Sequence, residues 1–303
     1  MKVKVATVSM ALEFRKANSI DDNLKYIEAV LEEMEGIKPD IVALPEVFPY
    51  VGVPIKAGDI KDSERAKEFL SEMAKKHRVY LTGSIYDNRN GKIFNTCLLY
   101  DKKGELVGKY DKIHPTEPEM EEGVIPGAEE QEPVDTEFGK IGFQICFDAN
   151  WSHYWRQLVE KGAKMIIFSS AYPAGRVLNS IALLNNVYIV ASTWELKSGI
   201  IDNMGRWLVK TNRFSFWVWE NIEIDKGVFH WDFQEEKTRE IRRKYGDKVK
   251  IETFADEALF TIEPLTDELD IEEIIQEFKL VRYKDYLQRA ERRQNEKRFE
   301  LKC

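Results

Sequence analysis

Short, almost wholly apolar runs closed by breakers or hydroxyl residues recur along this chain, and they restrict its fold more than any other feature. IVAL at 41–44 stops at Pro45, MIIFSSA occupies 165–171, and VYIVAST occupies 187–193. A strand with one wet face alternates apolar and polar residues, whereas an unbroken run of this length reads as a strand covered on both faces. Between such runs lie segments with helical spacing. They are DDNLKYIEAVLEEMEGI (21–37, with Asp21 or Asp22 as the expected N-cap), SERAKEFLSEMAKKH (63–77), WSHYWRQLVEKGA (151–163) and residues 176–186. KVKVATVSMA at the start, VYLTGSIYD (79–87) and GKIGFQICF (139–147) supply further strands. Glycine-bearing turns NRNGK (88–92) and DKKGE (101–105) bracket FNTCLLYD, and IIDNMGRWLV (200–209) has the pattern of another hairpin. Strand–helix units mixed with hairpins predict a layered α/β fold with a mixed sheet. No internal repeat is visible in the sequence.

From Thr266 onward the pattern changes. DELDIEEIIQEFKLVRYKDYLQRAERRQNEKRFELK has neither Gly nor Pro and alternates acidic with basic blocks. We therefore expect a main domain over 1–265 and a charged helical arm over 266–303, either packed on a partner subunit or lying as a solvated surface helix. Arg289, Arg292, Arg293, Lys297 and Arg298 are interrupted by Glu291, Glu296 and Glu300, and the net charge is −8. Both facts argue against nucleic acid or an anionic membrane as partner. No apolar run approaches the ~20 residues that span a bilayer, and the N-terminal run turns polar by Glu13, as a strand does and a secretion signal does not. The three cysteines (Cys97, Cys146 and Cys303) are odd in number and lack C-x-x-C spacing. That disfavours a disulfide framework or structural zinc and sets the expectation of a reducing, cytoplasmic setting. Phosphate-binding glycine motifs are absent, and His114, Asp148 and His153 lack tight ligand spacing. We expect no cofactor and no metal.

Three chemistry-bearing residues stand where buried strands run out: Glu46 after IVALP, Lys112 in GKYDKIHP, and Cys146 in GFQICFDANW. Functional groups of open α/β sheets gather beyond the carboxyl ends of strands. A cysteine is only slightly ionised at neutral pH, and a nearby ammonium favours its thiolate. A carboxylate in hydrogen-bond reach can take the thiol proton and return it to a leaving group, while the ammonium steadies an oxyanion. A Cys–His pair with His114 or His153 is the competing arrangement.

LPE (44–46), KYDKIHPT (109–116) and ICFDANW (145–151), in that order, resemble the three motifs of the nitrilase, or carbon–nitrogen hydrolase, superfamily, and SSAYP (169–173) and SGIIDNMG (198–205) extend the likeness. The resemblance implies an α-β-β-α sandwich that dimerises into an α-β-β-α-α-β-β-α core. It also implies a Glu-Lys-Cys triad: Glu46 as base and acid, Lys112 as oxyanion stabiliser, Cys146 as nucleophile, and the Phe147 N–H as second oxyanion donor. A further glutamate between Lys and Cys matches Glu119 best, with Glu117, Glu121 and Glu122 as alternatives. Tyr50, Trp151 and Tyr172 fall in stretches that line the substrate pocket in this family, although Ser152 replaces the family's proline after Trp151. The implied activity is hydrolysis of a small amide or N-carbamoyl compound through a thioester, in a homodimer or higher homo-oligomer. A nitrilase acting on C≡N, a non-catalytic binding member and an acyltransferase are the alternatives.

Overall fold

The computed structural model describes residues 1–60, 63–266 and 268–300. Residues 2–222 form one compact unit. Its elements are β1 (Lys2–Val8), α1 (Ile20–Glu33), β2 (Ile41–Ala43), α2 (Glu64–His77), β3 (Tyr80–Arg89), β4 (Lys92–Tyr100), β5 (Leu106–Asp111) and α3 (Glu117–Glu121). They continue with β6 (Val134–Thr136), β7 (Gly139–Ile145), α4 (Ser152–Glu160), β8 (Ala163–Ser170), α5 (Arg176–Asn185), β9 (Tyr188–Thr193), β10 (Gly199–Ile201), β11 (Trp207–Lys210) and β12 (Trp217–Glu223).

Two six-stranded mixed sheets result, ordered β12-β1-β2-β3-β4-β5 and β11-β10-β9-β8-β7-β6. In the first, β1, β2 and β3 are parallel and β3, β4 and β5 antiparallel. In the second, β7, β8 and β9 are parallel and β9, β10 and β11 antiparallel. Each sheet thus carries the same β-α-β-α-β-hairpin path, a repetition of topology with no counterpart in the sequence. The Asn90-Gly91 turn joins β3 to β4 with both residues at positive φ (57° and 82°), as a two-residue hairpin requires.

The apolar faces of the helices account for the outer layers. Leu24, Ile27 and Leu31 of α1 and Leu70 and Ala74 of α2 share a core with Val42, Leu81 and Leu98. Trp155 and Leu158 of α4 and Leu178 and Ile181 of α5 do the same with Ile166, Phe168 and Ile189. Each of the larger aliphatic side chains among them contributes about 2 kcal/mol on burial. The inner seam between the sheets is different, because hydroxyls cross it to backbone carbonyls. Thr7 Oγ1 donates to Ala191 O (2.8 Å), Ser169 Oγ to Leu44 O (2.9 Å), and Ser192 Oγ to Val8 O (2.6 Å) and Ala43 O (3.1 Å). Such bonds add only about 1 kcal/mol each, but they are directional and so set how the sheets align. The strands read as covered on both faces are indeed buried, by helices outside and by the opposing sheet inside.

Two expectations need correction. The N-cap of α1 is Ser19, not Asp21 or Asp22: Ser19 Oγ accepts from Asp22 N (3.2 Å) and Asp22 Oδ2 accepts from Ser19 N (3.1 Å), a capping box in which Asp22 is the third helical residue. The second compact unit, Met1 with residues from Glu223 on, begins well before Thr266. It holds β13 (Gly227–His230), α6 (Glu235–Tyr245), β14 (Val249–Phe254), β15 (Leu259–Pro264), α7 (Ile271–Phe278) and α8 (Tyr283–Glu300), with the strands ordered β13-β15-β14. Ile271 and Ile274 of α7 are buried with Phe229, Phe260 and Ile262, so this part of the expected arm belongs to a core. Lys279, at φ 49°, ends α7 without a glycine. Only α8, none of whose residues is buried, has the solvated character expected of the arm. Stacking of His230 on Tyr286 (4.7 Å) and the bond from the Tyr286 hydroxyl to Asp232 (2.7 Å) tie down its first turn. Cys303 lies outside the described residues, and Cys97 and Cys146 are free thiols.

Replacing Ser19 with Ala removes one side of the capping box. We expect a loss of about 1 kcal/mol in urea denaturation, with turnover unchanged; a midpoint equal to wild type would show that the cap does not hold α1.

Candidate active site

Glu46, Lys112 and Cys146 follow β2, β5 and β7, and the two sheets bring them together beneath the surface, at 3%, 1% and 8% exposure. Lys112 Nζ donates to Glu46 Oε1 (2.7 Å) and to both oxygens of Glu119 (2.9 and 2.7 Å). One buried ammonium therefore sits between two carboxylates. The Cys146 thiol lies within electrostatic reach of Glu46 and Lys112. Glu46 Oε2 accepts from Ala171 N at the end of β8 (2.8 Å), and its carbonyl accepts from Trp194 Nε1 (2.6 Å).

Of the four candidate glutamates, Glu119 alone makes these contacts. Its position follows from a second capping box, at α3: Glu119 Oε2 accepts from Thr116 N (2.8 Å) and Thr116 Oγ1 (2.9 Å), and Thr116 caps the helix in return. Glu117 and Glu121 are exposed, and Glu122 instead accepts from Ala57 N (3.2 Å).

The backbone is strained at two of these positions. Cys146 has φ 47° and Val47, directly after Glu46, has φ 40°, a conformation poorly suited to a β-branched residue. Such residues cost about 1–3 kcal/mol and persist where their surroundings over-determine them. Val47 N is held by Ser84 Oγ (2.7 Å). The turn at Cys146–Asn150 is held by Asp148, which is fully buried. Asp148 Oδ2 accepts from Ile145 N (3.0 Å) and the Tyr110 hydroxyl (2.9 Å), while Oδ1 faces His114 N and Nδ1 (both 2.9 Å). The His114 ring lies flat on Trp151 (3.7 Å between centroids, 3° between planes). His114 is thus engaged with Asp148, and His153 is exposed on α4 against Tyr154 (4.0 Å), so the contacts of neither histidine favour a Cys–His pair. The first N–H groups of a helical turn have no acceptor within it, and the Phe147 N–H stands at that position directly after Cys146.

The expected pocket aromatics separate. Tyr172, 36% exposed, lies within electrostatic reach of Cys146 and Glu46, which raise its hydroxyl's pKa together with burial, the larger cause. Trp151 is engaged by His114 on one face and edge-on by Phe147 (5.2 Å). Tyr50 is buried in the apolar core beneath α1, against Tyr86 (5.4 Å). Sequence reasoning missed Asn95, whose Nδ2 donates to Glu46 Oε1 (2.8 Å) and Glu119 Oε1 (3.1 Å). The available signal was one amide inside the apolar strand IFNTCLL. Among the described residues no group of three or more His, Cys, Asp or Glu side chains is arranged to hold a metal ion, and no helix is long and apolar enough to cross a membrane.

Charge in this cavity follows from burial and contact. Burial pushes the Cys146 thiol well up from its ordinary value, the Glu46 charge pushes it further, and Lys112 only partly offsets them. Burial alone would pull the Lys112 ammonium down, but Glu46, Cys146 and Glu119 hold it above its usual value. Burial would raise Glu119, yet Lys112, Thr116 and Asn95 keep its carboxyl below the ordinary range. The resting state at neutral pH is therefore a neutral thiol, a charged lysine and an ionised Glu119. Cys97 is a different case: at 1% exposure beside Thr82, burial lifts its pKa to about 11, and it is an inert core thiol.

A sequence model of the carbon-nitrogen hydrolase family matches residues 4–216. Nitrilase homolog 2 of Dictyostelium discoideum is 28% identical over 73% of this chain and 75% of its own length. Omega-amidase NIT3 of Saccharomyces cerevisiae is 28% identical over 56% of this chain, which spans 64% of that protein. A carbon-nitrogen hydrolase from Helicobacter pylori G27 has the same fold, with a TM-score of 0.64 at 20% identity, covering 81% of this chain and 94% of that one.

Because the Glu46 charge raises the thiol's pKa, Glu46→Gln should let the Cys146 thiolate form at lower pH than in the wild type. Ultraviolet thiolate titration, with Cys146 assigned by peptide mapping, checks this. A curve that moves upward in pH, or not at all, contradicts the proposed charge balance.

Proposed function

The chain belongs to the carbon–nitrogen hydrolase family, and on that premise we propose that Glu46, Lys112 and Cys146 cleave the C–N bond of a small amide through a thioester. The observation that carries this is a buried cluster in which Lys112 Nζ holds Glu46 Oε1 (2.7 Å) and the Cys146 thiol lies within electrostatic reach of that carboxyl group. Moving the thiol proton to Glu46 leaves the net charge of the cavity unchanged, so thiolate forms at the moment of attack without adding charge to a dry site.

The thiolate attacks the carbonyl carbon, and the oxyanion is steadied by the Lys112 charge and the Phe147 N–H. An oxyanion on Lys112 takes the place of one of its two bonds to Glu119. Glu46 then gives its proton to the departing amine nitrogen, the C–N bond breaks, and a Cys146 thioester remains. A water bound near Glu119 loses a proton to Glu46 and attacks the thioester. The acid leaves, and Glu46 returns the proton to sulfur. Glu119, kept ionised, acts as a fixed negative wall that orients amide N–H groups and water.

The acyl side of the pocket is assigned to Tyr172 and Trp151, while Tyr50, in the core beneath α1, acts only by packing on Tyr86. The yeast relative's name, omega-amidase, directs the substrate panel first to ω-amides, with N-carbamoyl compounds as the second class. A homodimer in a reducing, cytoplasmic setting accompanies this proposal, consistent with the free thiols at Cys97 and Cys146.

Intact-protein mass spectrometry after mixing with an amide and ureide library should show an acyl adduct on Cys146. Cys146→Ala should lose turnover by at least about 10⁴-fold with its melting curve kept, as loss of a covalent nucleophile demands. Undiminished turnover by that variant sinks the thioester route. Ammonia released faster from a nitrile than from its matching amide would reassign the substrate to the nitrile class.

A further inference from the structure

Glu46 has two oxygens, and their surroundings differ. Oε1 accepts from Lys112 Nζ (2.7 Å) and from Asn95 Nδ2 (2.8 Å). Among the described residues, Oε2 accepts from one backbone or amide donor, Ala171 N (2.8 Å). A carboxylate oxygen offers two lone-pair sites, so Oε1 is filled and Oε2 keeps one open. Asn95 is 1% exposed and is fixed in orientation by its partners. Its two amide hydrogens point to Glu46 Oε1 and Glu119 Oε1, and a flipped amide would set oxygen against two carboxylates. Its own Oδ1 is buried with no hydrogen-bond partner. An amide that leaves its acceptor orphaned is kept for what its donor end does. The main chain adds to this, since Lys112 N donates to Asn95 O (2.8 Å) and so ties the lysine's backbone to the same residue.

We infer that Asn95 is a positioning residue for the triad: by filling the second site on Glu46 Oε1 it directs proton traffic to Oε2 and holds Glu46 apart from Glu119. The inference rests on the proposed amidase chemistry and refines it to single atoms. In acylation the S–H bond of Cys146 breaks and an O–H bond forms at Oε2; that O–H then breaks as the leaving nitrogen gains the proton. In deacylation, water supplies the proton to the same oxygen. The second role concerns like charges. Two carboxylates on one ammonium tend to share a proton, which raises one of their pKa values. A donor bridging both favours both charged forms and opposes that sharing. The groups that face this cluster are Lys112 at the end of β5, Glu119 on α3, Cys146 after β7, Tyr86 on β3 and Tyr172 after β8. Tyr86 and Tyr172 both have hydroxyl pKa values raised, by burial first and then by the neighbouring negative charge, so neither competes for the proton near neutral pH.

The test uses Asn95→Leu and Asn95→Asp in the full chain, with melting curves to confirm folding. Asn95→Leu removes both donors at similar volume, and Asn95→Asp keeps the shape but substitutes an acceptor. For the amide most active with the wild type, kcat should fall by about 10–100-fold, somewhat less than for loss of a direct oxyanion donor, while KM changes less than threefold. The acid limb of the pH–rate profile should move to higher pH, further for Asp than for Leu, because a carboxylate that loses a donor protonates more readily. Alkylation of Cys146 by iodoacetamide, followed against pH by peptide mapping, reads the same shift without any substrate. An unmoved alkylation profile in both folded variants overturns the role of Asn95. A moved alkylation profile in a wild-type background that hydrolyses no amide supports Asn95 and overturns the amidase assignment instead.

Discussion

A single ammonium buried between two carboxylates is the interaction on which the rest of this molecule turns. A lone buried charge is expensive, and two like charges side by side are worse. Lys112 is nearly solvent-free yet stays protonated because Glu46 and Glu119 both need it. Each carboxylate in turn needs further donors, which the structure supplies from separate elements. Ala171 and Asn95 serve Glu46, and Thr116 and Asn95 serve Glu119. Two carboxyl groups thus share one ammonium before substrate arrives. Burial first, and then the neighbouring Glu46, push the Cys146 thiol up and oppose its ionisation.

The site is assembled from both sheets. Glu46, Asn95 and Lys112 come from the first sheet and its connections, Cys146 and Ala171 from the second. This explains why strand ends matter more than any contiguous motif. Each half follows the same β-α-β-α-β-hairpin path, and Glu46, Lys112, Cys146 and Ala171 lie beyond the carboxyl ends of strands, as open α/β sheets favour, whereas Asn95 stands within β4. Asp148 serves the second half as the two carboxylates serve the first: one buried charge satisfied by Ile145, Tyr110 and His114 pins the strained turn that presents Cys146.

Much of this is legible in the residues, and the exceptions share a cause. Unbroken apolar runs announce strands buried on both faces, because only a covered strand can forgo polar residues. Glu46 and Cys146 are legible because each closes such a run within a recognisable motif, whereas Lys112 follows the largely exposed β5 and is legible from its motif alone. Asn95 is not, since an amide in a strand has no periodic signature and its partners lie 49 and 24 residues away. The His114–Asp148 pairing spans 34 residues and is equally silent. Ser19 and Asp22 are both good capping residues, and only the backbone geometry says which one starts α1. The break between α7 and α8 is hidden because Lys279 adopts a left-handed conformation that sequence reading assigns to glycine or asparagine.

The hydroxyls that cross the inner seam have a mechanical consequence. Ser192 reaches carbonyls on β1 and β2 at once, and Ser169 and Thr7 fasten neighbouring points. Apolar sheets pressed together can slide along their strands at little cost, but pegs seated in fixed sockets resist that shear. Glu46 and Cys146, the proposed base and nucleophile, are mounted on opposite plates of this sandwich. Their separation is therefore gauged by the pegs, and softening the seam should detune the reacting distance long before it loosens the fold.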